Sequence, residues 1–141
     1  IDLGQKIKIS SKDEIHIRPN KTVFFCNMIY DIILKENRVK YSNSKNKEIV
    51  DWSKFKNKKL RIRIWTEGDV FQPLGMKYKK KISDFLINEK IDNLSKKTQS
   101  VLTVDGEIAW VCGLRISDWA KITKATKQKA LLTIKPAKRN E

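Results

Sequence analysis

Two runs of β-forming residues meet at Asp105-Gly106, and this junction constrains the fold more tightly than any other stretch of the chain. Residues 101–104 precede the dipeptide and residues 107–112 follow it. Asp-Gly supplies two consecutive positions that tolerate positive φ, which the tight turn of a right-twisted hairpin requires. The spacing therefore predicts an antiparallel hairpin closed by a type I′ turn. Ile108, Ala109, Trp110, Val111 and Cys112 are apolar on both faces, so the second strand is expected to be buried, with Trp110 in the core.

Residues 60–65 form the next clearest strand. Leu60, Ile62 and Ile64 fall on one face by the period of two, and Arg61, Arg63 and Trp65 fall on the other. Gly68-Asp69 then turns the chain, and Pro73 with Gly75 sets a second bend that Phe71 and Leu74 are expected to anchor in the core. Residues 79–90 fit a short amphipathic helix in which Ile82, Phe85 and Leu86 pack on a sheet. Lys79, Lys80 and Lys81 would crowd its first turn, where exposed backbone N–H groups and lysines together predict an anion site.

Before residue 54 the chain reads as short strands, at 6–9 and 15–17, then a longer apolar run over 22–34 and a loop over 41–47. The β-branched and aromatic content of the 22–34 run favours strand over helix, although its periodicity does not decide between them. Residues 130–134 predict a final strand, followed by a loose tail. These signals predict an α+β fold: a small antiparallel β-sandwich with one or two short helices. The expected organisation is a β-rich lead-in over 1–53 packed on a domain over 54–136, with a flexible tail at 137–141.

Charge points to the partner class. The formal net charge is +15, and it is uneven. Residues 54–81 carry ten basic and two acidic side chains, and residues 121–140 carry seven basic and none acidic. The segment between them is slightly acidic. Two cationic blocks around a near-neutral core predict a field that attracts polyanions. Lysine outnumbers arginine 25 to 6, a bias that an AT-rich genome also produces, but such a bias does not explain the clustering.

Other classes are poorly supported. No apolar run reaches the roughly 18 residues of a membrane span. The start, Ile1-Asp2-Leu3-Gly4, has neither a basic nor an apolar leader region, so the reading is of a cytoplasmic chain cut from a longer protein. Cys26 and Cys112 stand far apart and predict buried reduced thiols. With a single histidine, His16, and no C-x-x-C pair, neither a metal site nor a hydrolytic triad is expected.

Several spaced motifs occur in order: Leu60-x-Ile62-Arg63-x-Trp65-x-x-Gly68-Asp69-x-Phe71-x-Pro73-Leu74-Gly75-Met76-Lys77, then Lys80-Lys81-x-Ser83-Asp84-Phe85-Leu86. Val101-Leu102 through Gly106-Glu107-Ile108-x-Trp110-Val111-x-Gly113-Leu114-Arg115-Ile116 completes the series. Over about residues 49–134 this pattern resembles the C-terminal domain of tRNA(Ile)-lysidine synthetases. The resemblance implies a sandwich of unusual topology, similar to a domain of the phenylalanyl-tRNA synthetase β subunit. It also implies a parent ligase that uses ATP, with magnesium, to attach lysine to the wobble cytidine of a CAU-anticodon tRNA. That chemistry belongs to an N-terminal domain with an S-G-G-x-D-S loop, which this chain lacks. The fragment is therefore expected to have no activity alone and no cofactor of its own. Its expected partners are tRNA, through the phosphate backbone, and the N-terminal catalytic domain, with a homodimer as a further option and no membrane. The sequence departs from the family pattern at Tyr78, where glycine is common, and at Asp92 and Ser100, where prolines are common.

The residues assigned to tRNA contact are Arg61, Arg63, Lys77, Lys79, Lys80, Lys81 and Arg115. Alternatives stand beside them. The lysines could form a solvated face, Arg61 and Arg63 could pair with Glu67 or Asp69, and Arg115 could form a structural ion pair. Trp65 reads as a half-buried packing residue ahead of a base-stacking platform, and Asp69 reads as a turn former. A generic RNA-binding module and a structural or dimerisation domain remain the alternative functions.

Overall fold

The computed structural model describes residues 13–35 and 46–137. The strand expected over 6–9 lies outside the described residues, as do most of the 41–47 loop and the end of the tail. Eleven strands are formed among the described residues: β1 (Glu14–His16), β2 (Val23–Phe25), β3 (Met28–Lys35), β4 (Lys47–Asp51), β5 (Leu60–Ile64), β6 (Val70–Phe71), β7 (Lys80–Lys81), β8 (Ser100–Val104), β9 (Glu107–Val111), β10 (Arg115–Ile116) and β11 (Lys129–Pro136). Helices α1 (Ile82–Asn88) and α2 (Asn93–Lys96) lie between β7 and β8. One sheet has the order β1-β5-β8-β9-β10, a second has β2-β3-β11-β4, and β6-β7 forms a small ribbon.

The Asp105-Gly106 hairpin forms as predicted. Both turn residues have positive φ, 48° and 90°, and Val104 pairs with Glu107 across the turn. Lys59 braces the turn, its backbone N–H donating to Asp105 Oδ1 at 2.9 Å. Strand β5 pairs with β8 in the register Leu60↔Val104, Ile62↔Leu102, Ile64↔Ser100. Its alternation is realised in full: Leu60, Ile62 and Ile64 are buried, and Arg61 and Arg63 lie on the opposite face.

The apolar run over 22–34 is extended, as its composition favoured, but it is divided into two strands. Phe25 pairs with Met28, leaving Cys26 and Asn27 as a two-residue turn with φ of 52° and 63°. These are the positive φ values of a type I′ hairpin, which cysteine seldom adopts. The final strand also extends past the predicted end through Pro136, and the Ala137 N–H donates to the Asn27 carbonyl at 3.0 Å.

Residues on either side of position 53 share both sheets. β1 joins β5, and β11 lies between β3 and β4. Tyr30, Ile32, Val50, Leu132 and Ile134 from one sheet meet Leu60, Ile62, Leu102, Trp110 and Ile116 from the other in a single core. One hydrogen bond ties the sheets together inside it, between the Tyr30 hydroxyl and Ser100 Oγ at 2.7 Å. Burial raises the pKa of this phenol above its ordinary value, which keeps it neutral and able to share its proton. On the far side of the larger sheet, Phe71, Ile82, Phe85 and Leu86 pack on Val101, Ile108 and Val111.

Cys112 is buried and Cys26 half-buried, and both are free thiols. Burial pushes the Cys112 thiol up to about 12 and, helped by the nearby Asp13 charge, that of Cys26 up to about 11. Both are therefore held in the protonated form at neutral pH.

Candidate nucleic-acid interface

The ribbon β6–β7 positions the central basic cluster. Val70 pairs with Lys81 and Phe71 with Lys80, so residues 72–79 form a loop closed at its base. The turn after β10 braces this loop. Leu74 N–H donates to the Ile116 carbonyl at 3.0 Å, Asp118 N–H to the Gln72 carbonyl at 2.8 Å, and Gly75 N–H to Asp118 Oδ1 at 3.0 Å. Met76 N–H donates to the Pro73 carbonyl at 2.9 Å, closing a four-residue turn with Gly75 third at φ 83°. A third residue in the left-handed region marks a type II turn and explains the glycine. Phe71 is buried as expected, but Leu74 is 40% exposed and does not anchor the turn in the core. Backbone hydrogen bonds to residues 116–118 provide that anchor instead.

The helix begins later than its sequence pattern suggests. Lys80 and Lys81 lie in β7, and α1 starts at Ile82, whose N–H donates to the Asp69 carbonyl at 2.9 Å. The lysines therefore precede the helix and do not crowd its first turn. With seven residues, and its first amide already partnered, α1 forms no phosphate cradle. Its buried face is as predicted, with Ile82, Phe85 and Leu86 on the sheet.

The seven nominated cations divide into two groups. Lys77, Lys79 and Lys81 are exposed and Lys80 is half-buried, and none of the four makes an ion pair among the described residues. The three arginines are all engaged. Arg63 clamps Asp69 through two bonds, Nη1 to Oδ2 at 2.8 Å and Nη2 to Oδ1 at 3.1 Å, and also donates to the Ile64 carbonyl. Arg61 pairs with Glu14 at 3.1 Å, a partner contributed by β1. Arg115 reaches Glu89 at 3.7 Å and lies 5.4 Å from the Phe85 ring centroid.

Asp69 is the turn former its setting suggested. Besides clamping Arg63, it accepts the Thr66 N–H at 2.8 Å. Trp65 is half-buried against both apolar clusters, and its Nε1–H donates to the Lys96 carbonyl at 2.7 Å, so the indole is a packing element. Trp110 is buried as predicted. Asp92 caps α2, accepting the Ser95 N–H at 2.7 Å and its hydroxyl at 3.0 Å. Backbone and side-chain bonds from Ser95 lower its pKa. His16 is exposed.

Asp118 brings the second basic block to the first. It accepts the Gly75 N–H, which is the main cause of its lowered pKa, and Lys121 Nζ lies 3.3 Å from both of its oxygens. Lys54 Nζ donates to the Trp119 carbonyl at 2.9 Å, adding a third segment to the same region. Lys54 and Lys121 were not among the nominated residues. The charge count placed one cationic block at 54–81 and another at 121–140, but only the fold shows that the turn at 116–121 brings them together.

Among the described residues no three His, Cys, Asp or Glu side chains group as metal donors, and no helix is long and apolar enough to cross a membrane. What this region offers chemically is positive charge on a braced loop.

The chain is 35% identical over 116 residues to the tRNA(Ile)-lysidine synthase of Clostridium acetobutylicum, covering 81% of this chain and 25% of that protein. It is 33% identical over 141 residues to the tRNA(Ile)-lysidine synthase of Clostridium tetani, covering 100% of this chain and 26% of that protein. The chain thus spans about a quarter of the length of these curated relatives. In fold it is similar to the crystal structure of the TilS C-terminal domain, with a TM-score of 0.75 at 19% identity, covering 90% of this chain and 100% of that one. The TilS substrate C-terminal domain model matches residues 60–132, from the first residue of β5 into β11. Matched over more than half of its length, the chain belongs to the TilS substrate C-terminal domain family.

Proposed function

We propose that this domain binds tRNA for a tRNA(Ile)-lysidine synthase, gripping phosphate and shape and leaving base chemistry to the rest of the enzyme. The observation that carries the reading is the contrast between cations. The arginines on the strands are paired, whereas Lys77, Lys79, Lys80 and Lys81 have no acidic partner among the described residues and sit on a braced loop. Lysine ammoniums in water suit phosphate contact, which positions a nucleic acid without reading its sequence. Arg61 and Arg115, each about one-third exposed, can add phosphate contacts of their own. Arg63 belongs to the scaffold.

The relatives' name supports tRNA as the polyanion over a generic RNA. In this reading the parent enzyme ligates lysine to a CAU-anticodon tRNA with ATP and magnesium, in the cytoplasm, through a separate catalytic domain. This chain's residues do not fit that role. It has no S-G-G-x-D-S loop, and no three carboxylate, histidine or cysteine donors group among its described residues. No step of the ligation is therefore assigned to it.

A filter-binding titration of a tRNA(Ile) transcript against the chain at low salt tests the reading. Binding that weakens at least tenfold when Lys79, Lys80 and Lys81 are all changed to Glu supports it. No binding by the unaltered chain, or binding that the triple reversal leaves unchanged, contradicts it.

A further inference from the structure

The most exposed large apolar side chain among the described residues lies inside the lysine cluster. Tyr78 is 80% exposed, makes no hydrogen bond through its hydroxyl among the described residues, and stands between Lys77 and Lys79. Leu74 and Met76, from the same loop, are also exposed, at 40% and 39%. An aromatic ring in this position contributes nothing to the core. The chain is anchored on both sides of it: residues 72–76 by bonds to residues 116–118 and by Gln72 Nε2–H to the Met76 carbonyl at 2.6 Å, and Lys80 by its pairing with Phe71.

We propose that Tyr78 is a stacking platform for an unpaired nucleobase of the bound RNA, with the flanking lysines holding the phosphates on either side of that base. The inference rests on the RNA-binding reading above and assigns a particular side chain within it. Charge complementarity selects the occupant. A protein partner docking on Tyr78, Leu74 and Met76 would have to bury or neutralise four lysine ammoniums, whereas a nucleotide strand brings its own phosphates to them. Bases present a π-face whatever their sequence, so a tyrosine amid lysines suits single-stranded nucleotides next to a duplex. Anchors on both sides of Tyr78 limit the ordering that binding requires.

The test compares two hairpin RNAs with the same stem, one blunt and one with a four-nucleotide 3′ overhang bearing 2-aminopurine. Unaltered chain is expected to bind the overhang RNA more tightly and to quench the 2-aminopurine. Tyr78→Ala should weaken overhang binding by about 5- to 150-fold, the usual range for loss of one base–aromatic stack, and should abolish the quench. Blunt-hairpin affinity and the salt dependence should stay unchanged, and Tyr78→Phe should restore both overhang affinity and quench. An unchanged circular dichroism spectrum and melting temperature show that Tyr78→Ala is folded.

Equal losses on blunt and overhang RNA, or no loss on either, would overturn the stacking role while leaving RNA binding intact. Self-association of the chain that Tyr78→Ala abolishes, with RNA affinity untouched, would assign the patch to a protein contact and also overturn the proposal. If the unaltered chain binds neither hairpin at low salt, the RNA-binding reading fails first and the stacking role fails with it.

Discussion

Arg63 and Asp69 form a two-pronged ion pair, with bonds of 2.8 and 3.1 Å, that fastens the end of β5 to the turn leading into the β6–β7 ribbon. The side chains are only 18% and 14% exposed. Asp69 also holds the Thr66 N–H. The pair therefore works as a hinge pin for the loop that carries the lysines. Arg63→Met leaves a largely buried carboxylate without its partner, which is expected to destabilise the fold by about 3 kcal/mol, the low end for a buried pair because both side chains keep some exposure. Urea denaturation measures this. The salt dependence of tRNA binding should be unchanged, because Arg63 is not a phosphate ligand in this account.

Tyr30 and Ser100 join the two sheets through one buried hydrogen bond of 2.7 Å. Tyr30→Phe keeps the ring and removes the bond, leaving the Ser100 hydroxyl without its partner. The expected loss is about 1–2 kcal/mol. Denaturant unfolding should show a lower midpoint with an unchanged slope, since the fold and the surface exposed on unfolding stay the same.

Glu48 gives the stability a pH dependence. Burial raises its carboxyl from 4.5 to about 6, and the Arg115 charge offsets only part of this. The folded state then holds the proton more tightly than the unfolded state, so this group lowers stability as pH rises from about 4.5 through 6. Glu48→Gln should remove the effect. With the carboxylate half exposed and screened, the gain at pH 7.5 is expected to be below about 1 kcal/mol. It should disappear below pH 4.5, where the native side chain is protonated in both states. Thermal melts across pH 4–8 compare the two proteins. A variant less stable than the native chain at pH 7.5 would show that the Arg115 attraction outweighs burial.

Strong local chemistry was legible in the sequence. Asp105-Gly106 announced its hairpin, the alternation over residues 60–65 announced its buried face, and Ile82, Phe85 and Leu86 announced the packed side of α1. The β2–β3 turn was hidden because Cys26 and Asn27 adopt left-handed backbone without a glycine to signal it. The start of α1 was also hidden. Lys79, Lys80 and Lys81 have good helix propensity, but pairing of Phe71 with Lys80 and of Val70 with Lys81 draws the last two into a strand. Tertiary pairing overrode propensity there. In the candidate interface, clustering of lysines could be read from one dimension. The partners of Arg61 and Arg115 could not, because Glu14 lies 47 positions before Arg61, and Glu89 lies 26 before Arg115. The approach of Lys121 to the central loop depends on Asp118 holding Gly75.

Lysines gripping tRNA phosphates from the loop at 77–81, where none has an acidic partner among the described residues, make binding depend on salt. Each neutralised phosphate contributes close to one unit to the slope of log K against log salt, about 0.7–0.9 depending on the form of the nucleic acid. With Lys77, Lys79, Lys80 and Lys81 all changed to Gln, the slope for a tRNA(Ile) transcript should fall by about three units, while the circular dichroism spectrum stays that of the native chain. A slope unchanged by the fourfold substitution would contradict the account.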